Sequence, residues 1–106
     1  MELIDKYREE LNKVCSAFKV DELYVFGSIL TKKFSARSDI DFIVSIQSND
    51  PIEYAENYFD LKFELEKLFK RKVDLLEQKA LTNKTFENLV NQKKILVYAR
   101  RNQSVA

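Results

Sequence analysis

The chain has 106 residues, of which 45% are hydrophobic and 33% charged, and a formal net charge of +1. This size and composition indicate one globular domain over residues 1–99 with a polar tail at 100–106, and the balanced charge gives no global attraction to nucleic acid or membranes. With no histidine and a single cysteine, Cys15, the sequence excludes a Ser-His-Asp or Cys-His site, a histidine-ligated metal and an internal disulfide. It lacks a signal-peptide pattern and an apolar run of the ~20 residues that span a membrane, so we expect a cytosolic protein.

Hydrophobic periodicity in the first half predicts a helix followed by two strands. Apolar residues between positions 2 and 19 recur at helical spacing, which predicts an amphipathic helix with Cys15 on its buried face. The first predicted strand covers residues 21–26, a short helix or turn covers 28–34, and the second strand covers 39–46.

The next part of the chain predicts a crossover unit. Asp50, Pro51 and Glu53 form a strong helix start, because Asp50 can cap the helix, proline fits its first position and Glu53 can reach back to the cap. The helix should run to about residue 69 and lead to a third strand over 72–77. A strand, a helix and a strand in this order make the second and third strands parallel neighbours.

The end of the chain predicts one more helix and a short final element. Residues 82–92 form the helix, with Phe86, Leu89 and Val90 directed inward, and residues 95–98 are either an edge strand or the last turn of that helix. The predicted fold class is therefore α/β, with a small mixed β-sheet flanked by helices.

The candidate chemistry lies where the first two strands meet a glycine. Gly27 and Ser28 follow the first strand, and Asp39 and Asp41 open the second. Residues i and i+2 of a strand point to the same face, so we expect the two carboxylates beside a turn with free backbone N–H groups. Asp74 lies among apolar residues of the third strand and adds a third carboxylate if the register aligns.

A carboxylate cluster of this kind is costly unless a cation is bound in it. Mg²⁺ prefers oxygen ligands and keeps several waters, and two such ions can hold the attacking and leaving oxygens of a phosphoryl displacement. Gly27 lets the backbone approach a phosphate closely, and N–H groups at the start of the following short helix would point at the anion. The pattern indicates a site for a divalent metal and a nucleotide.

Each part also has an ordinary structural explanation. Gly27 alone could end a strand, Ser28 alone could cap a helix, and the acidic pair alone could belong to a turn. Asp74 alone could pair with a neighbouring lysine or arginine, and the basic cluster at 67–72 is better explained as a solvated helix end than as a nucleic-acid site. We favour the metal site because the parts occur together in this order and spacing.

The order of these residues resembles the signature of the DNA polymerase β-like nucleotidyltransferase superfamily. In this chain the signature consists of Gly27-Ser28 and, after ten intervening residues, Asp39 and Asp41. The size and the helix-first layout are similar to its minimal, antitoxin-type (MNT) branch. The resemblance implies the nucleotidyltransferase fold, a Gly-Ser turn that holds the phosphates of ATP or another nucleoside triphosphate, and two Mg²⁺ bound by aspartates. By position, the metal-binding and catalytic roles fall on Asp39, Asp41 and Asp74.

The resemblance also implies a partner. Such proteins are often encoded beside a HEPN-domain toxin, and active members transfer AMP from ATP to a tyrosine of that toxin, so a complex with the toxin or between copies is expected. The family usually has a small residue, an arginine and a glycine shortly after Gly-Ser, whereas this chain has Lys32 and Lys33 in that stretch. Either lysine would replace the arginine as a point charge at the phosphates.

The sequence is compatible with functions of different classes. The first is Mg²⁺-dependent transfer of a nucleotide to a hydroxyl of the toxin. The altered stretch after the Gly-Ser turn motivates an alternative, a non-catalytic antitoxin that neutralises its toxin by binding alone. Transfer to a small molecule such as an aminoglycoside is disfavoured, because enzymes of that type usually carry an extra acceptor domain.

Overall fold

The structure is a computed structural model that describes residues 1–100. Its helices and strands follow the order α1 (Glu2–Lys6), α2 (Arg8–Ala17), β1 (Val20–Phe26), β2 (Ile40–Ile46), α3 (Pro51–Phe69), β3 (Val73–Glu77), α4 (Lys84–Lys93) and β4 (Ile95–Ala99). Short 3-10 helices follow β1 and β3, at Gly27–Leu30 and Gln78–Ala80. The predicted tail lies outside the described residues from position 101 onward.

The four strands form one mixed sheet in the order β3-β2-β1-β4. β1 lies antiparallel to both β2 and β4, whereas β2 and β3 are parallel. The parallel pair confirms the predicted crossover through α3, because parallel neighbours need a long connection. Residues 95–98 were predicted to form either an edge strand or the last turn of the preceding helix, and they lie in the edge strand β4.

One face of the sheet is covered by α1, α2 and α3. Alternate residues of each strand point to this face, and they form a core with the three helices. The core includes Ile4, Leu11, Cys15, Leu23, Val25, Phe42, Val44, Leu61 and Leu65. Asp41 precedes Phe42 in β2, so its side chain points to the opposite face, on the side of α4.

The predicted first helix is interrupted. Instead of one helix over 2–19, the chain forms two, because Tyr7 leaves the helical region with φ −110° and ψ 23°. The Tyr7 ring packs edge-on against Phe69 at 5.7 Å between centroids, and the Arg8 guanidinium donates to the Val97 carbonyl at 2.7 Å. Tertiary contacts therefore override a continuous helical pattern.

α3 begins where predicted, because the Asp50 carboxylate accepts a hydrogen bond from the Ile52 N–H at 3.0 Å and Pro51 is the first helical residue. Glu53 does not reach back to the cap as expected: its carboxylate accepts from Lys19 and Ser48, and the Asp50 N–H donates to the Ser48 hydroxyl instead.

On the outer side of α3, Ile52 is 71% exposed and Phe59 and Phe63 are each 65% exposed. Their spacing of seven and four places them on one side of the helix, which we call the outer stripe of α3. Within residues 1–100, no helix combines the length and apolar character needed to cross a bilayer.

α4 is less buried than its pattern predicts. Of the three residues expected to point inward, Val90 is buried, whereas Phe86 is 40% exposed and Leu89 is 54% exposed. Both exposed residues line a surface hollow beside Gly27. The prediction was wrong for them because periodicity identifies an apolar stripe but does not show whether the rest of the chain covers it.

Candidate nucleotide and metal site

The acidic part of the site lies at the start of β2 and β3. In the parallel ladder Asp41 is paired with Asp74. Paired residues on neighbouring strands point to the same face, and the strands lie about 5 Å apart. Asp39 lies one residue before β2, rather than inside the strand as predicted. The register therefore brings Asp41 beside Asp74, with Asp39 at the same end of the sheet.

Asp41 experiences the negative charges of the other two carboxylates. Asp41 is half-buried, whereas Asp39 and Asp74 are exposed. Burial, followed by the negative charges of Asp74 and Asp39, raises the pKa of the Asp41 carboxyl above its usual range. In the described part of the chain none of the three takes part in an ion pair, so the alternative pairing of Asp74 with Lys72 or Arg71 is not observed.

Gly27 connects this acidic cluster to the turn after β1. Its φ of +76° lies in the left-handed region that favours glycine. A Cβ at this position would overlap Oδ2 of Asp41 and lie 3.3 Å from its Cγ. Ser28 follows in the 3-10 helix, where its carbonyl accepts hydrogen bonds from the Thr31 N–H at 2.9 Å and the Thr31 hydroxyl at 2.8 Å. Gly27 of the turn and the Asp41 carboxylate are therefore direct neighbours.

Two surface hollows meet at Gly27. The large hollow, about 450 Å³, is lined by Gly27, Leu30, Thr31, Lys93 and Ile95. The apolar hollow, about 180 Å³, is lined by Phe26, Gly27, Phe86, Leu89, Val90 and Lys93. Sequence reasoning missed Lys93, since nothing local distinguishes it from the other lysines and only the fold brings it beside the glycine.

Lys32 and Lys33 are not brought to either hollow. Lys32 lines a separate hollow of about 340 Å³ together with Met1 and Glu2 at the start of the chain. The Lys33 side chain is exposed, and its backbone N–H donates to the Thr31 hydroxyl at 3.2 Å. Their role at the phosphates stays a prediction that depends on sequence position alone.

Arg71 is a second residue whose place the sequence did not reveal. Its Nη1 donates to the carbonyls of Ser35 and Ser38, both at 3.0 Å, and its guanidinium lies 4.8 Å from the centroid of the Phe34 ring. A planar guanidinium can reach two acceptors and stack on an aromatic ring at once. Arg71 thereby ties the loop that leads to Asp39 to the segment before β3.

The donor set fits Mg²⁺. Among residues 1–100, no group of three histidine, cysteine, aspartate or glutamate side chains is placed to hold a metal ion, so Asp39, Asp41 and Asp74 do not form a preformed three-carboxylate site. Mg²⁺ does not need one, because it is usually held by one or two carboxylates together with waters and substrate phosphates. Oxygen-only donors, with the Asp41 carboxylate against an open glycine backbone, suit this mode of binding.

The fold places a glycine turn against paired carboxylates on a mixed sheet, an arrangement that suits the phosphates of a nucleotide together with a divalent metal. Residues 9–103 match the family model described as Polymerase beta, Nucleotidyltransferase, and the chain belongs to this family. The family suggested by the Gly-Ser and paired-aspartate signature is thereby confirmed.

Known proteins are similar over nearly the whole chain. A Methanocaldococcus jannaschii protein, MJ1379, provisionally named a protein adenylyltransferase, is 29% identical over 96 residues, which is 91% of this chain and 92% of the relative. A structure provisionally described as a minimal nucleotidyltransferase has a TM-score of 0.72 at 23% identity and covers 89% of this chain and 92% of its own. The complex of a tri-AMPylated Shewanella oneidensis HEPN toxin with its MNT antitoxin has a TM-score of 0.61 at 17% identity, over 95% of this chain and 76% of that one. These structures confirm the predicted fold.

Proposed function

We propose that this protein is an Mg²⁺-dependent nucleotidyltransferase that transfers AMP from ATP to a tyrosine hydroxyl of a HEPN-type toxin and so acts as its antitoxin in the cytosol. The observation that carries the proposal is the contact between Gly27 and Asp41, whose partner in the next strand is Asp74. The name of the M. jannaschii relative and the modified toxin in the S. oneidensis complex support AMP and a protein acceptor.

In the proposed reaction the acceptor oxygen forms a bond to the α-phosphorus of ATP, and pyrophosphate leaves. Asp39, Asp41 and Asp74 would hold two Mg²⁺, which would neutralise charge on the phosphates. Asp74 is exposed on the edge strand β3, where an acceptor can approach, and would take the acceptor's proton. Gly27 would let the phosphates reach the backbone, and Ser28 would donate hydrogen bonds to them. Catalysis would come mainly from positioning and charge neutralisation.

The test is co-expression with a HEPN-domain toxin, followed by mass spectrometry of that toxin. We expect one or more added AMP groups with the wild-type protein and none with Asp39→Asn or Asp41→Asn. Asp60→Asn, which removes an exposed carboxylate from α3, is the matched control and should leave the modification intact. Modification that persists in both site variants would refute the proposal.

A binding-only antitoxin is the second candidate, and the outer stripe of α3 favours it. Large apolar side chains exposed together on one surface are typical of protein interfaces. Toxin neutralisation separates the two candidates: if Asp41→Asn protects cells from the toxin as well as the wild type does, and calorimetry detects no ATP binding with Mg²⁺, binding alone is the function.

A further inference from the structure

We propose that the nucleobase occupies the apolar hollow and that Lys93 contacts the phosphates. This inference rests on the proposed function and adds the position of the nucleotide and the way its base is selected. It assigns to α4 a role that neither the family signature nor the carboxylates require.

The apolar hollow lies on the same face of the sheet as the carboxylates. In the β1–β2 ladder Phe26 is paired with Asp41, and paired residues point to the same face. The Phe86 ring of α4 packs edge-on against Phe26, at 6.5 Å between centroids and 79° between planes. Gly27 lines the hollow and touches Asp41, so phosphates at the glycine would extend from the carboxylates directly to the hollow.

Lys93 is the cation placed to meet those phosphates. It is the last residue of α4, lines both hollows at Gly27 and has no ion-pair partner within residues 1–100. The neighbouring Lys94 is committed elsewhere, because its Nζ donates to Gln78 at 3.0 Å and lies 4.0 Å from the centroid of the Tyr24 ring. An ammonium group on a phosphate forms a charge-assisted contact. Lys93 therefore supplies the positive charge that an arginine shortly after the Gly-Ser turn usually supplies in the family.

The side chains that line the apolar hollow determine which bases it can bind. Apart from Gly27 and Lys93, its lining consists of the apolar side chains of Phe26, Phe86, Leu89 and Val90. Aromatic and aliphatic walls hold a base by stacking and burial, and every base has a π-face. Without a side-chain amide, hydroxyl or carboxylate at the base edge, the site accepts adenine and guanine with similar affinity.

The experiment measures displacement of a fluorescent ATP analogue in the presence of Mg²⁺ by ATP, by tripolyphosphate and by adenosine. Lys93→Met should weaken ATP and tripolyphosphate about tenfold or more, because a charged contact is lost, and leave adenosine unchanged. Phe86→Ala should weaken ATP and adenosine at least about fivefold and leave tripolyphosphate unchanged. Lys84→Met, at the other end of the same helix, is the matched control and should bind all three like the wild type.

Circular dichroism establishes whether each variant is folded, and Leu89→Ser replaces Phe86→Ala if the latter does not fold. Lys93→Arg, which keeps the positive charge, should bind ATP like the wild type. Unchanged ATP binding in Lys93→Met, or in the folded hollow variant, overturns the assignment while the proposed function stands. A difference of a hundredfold or more between the affinities for ATP and GTP overturns the inference that the hollow does not distinguish adenine from guanine. A wild-type protein that binds no ATP refutes the proposed function and this inference with it.

Discussion

At the scale of single residues, Gly27 is where backbone conformation and side-chain chemistry constrain each other. We expect Gly27→Ala to lower the free energy of unfolding by about 1–3 kcal/mol, because alanine is strained at φ +76° and its Cβ would displace the Asp41 carboxylate. Urea denaturation measures this loss. In an Asp41→Ala background the loss should shrink, since the obstructing carboxylate is gone. Equal losses in the two backgrounds would show that the Asp41 contact contributes nothing.

Asp41 itself should cost stability when it is charged. It is half-buried beside two other carboxylates, and Asp41→Asn removes that repulsion without changing the size of the side chain. In EDTA at pH 7 we expect the free energy of unfolding to stay equal or to rise by up to about 1 kcal/mol, or up to about 5 °C in Tm, because water screens part of the repulsion. Asp39→Asn, at an exposed position, should have the smaller effect. A clear loss of stability in Asp41→Asn would contradict this account.

Cys15 gives a prediction for alkaline pH. Burial raises the pKa of its thiol to about 12, whereas a thiol in the unfolded chain has a pKa of about 8.5. As the pH rises above about 8.5, the unfolded state loses this proton first, so stability should fall by at most about 1.4 kcal/mol per pH unit until the folded thiol also ionises. Urea denaturation between pH 8 and pH 10 should show a smaller loss for Cys15→Ala than for the wild type. Rapid alkylation of the native thiol at pH 8 would contradict its burial.

At the scale of elements, the loop before β2 carries Asp39 and is held by Arg71. Arg71→Lys keeps the charge but cannot reach both carbonyls and stack on Phe34, so we expect a loss of about 1–2 kcal/mol in the free energy of unfolding and several-fold slower AMP transfer. Hydrogen exchange should become faster at residues 35–39. The exposed neighbour Lys72, changed to Met, should leave exchange and transfer as they are. Unaltered exchange in Arg71→Lys would show that the loop is held by other contacts.

The elements also show which features the sequence could predict. The cap at Asp50, the parallel pairing of β2 with β3 and the turn at Gly27 follow from local chemistry and chain connectivity, so the pattern predicted them. The break at Tyr7, the contacts of Arg71 and the place of Lys93 depend on residues far away in the chain. A long cationic side chain at a helix end has the same local pattern whether water or a ligand surrounds it, which is why Lys93 emerged only from the fold.

At the scale of the whole molecule, the sheet separates two surfaces. The carboxylates and Gly27 lie on the face toward α4, whereas α3 packs on the opposite face and exposes its outer stripe away from the sheet. A partner protein bound to the stripe would leave the nucleotide site open. If the proposed function holds, binding of the partner and its modification should depend on different residues.

A pair of variants tests this separation. Phe59→Ser combined with Phe63→Ser should weaken binding to the HEPN-type partner about tenfold or more, because exposed aromatic side chains contribute strongly to interfaces. Since the Phe63 side chain is largely exposed, its loss should change the free energy of unfolding by less than about 0.5 kcal/mol. Loss of the Phe59 ring, which packs edge-on against Tyr58 at 5.1 Å between centroids, should cost up to about 1.5 kcal/mol, and ATP binding should not change. Asp41→Asn should retain partner binding and lose AMP transfer. Asp60→Asn, on α3 like the two phenylalanines, is the control for both measurements. If the stripe variant binds the partner like the wild type, the toxin docks elsewhere, and the face that carries Asp41 and Asp74 becomes the surface that both holds and modifies it.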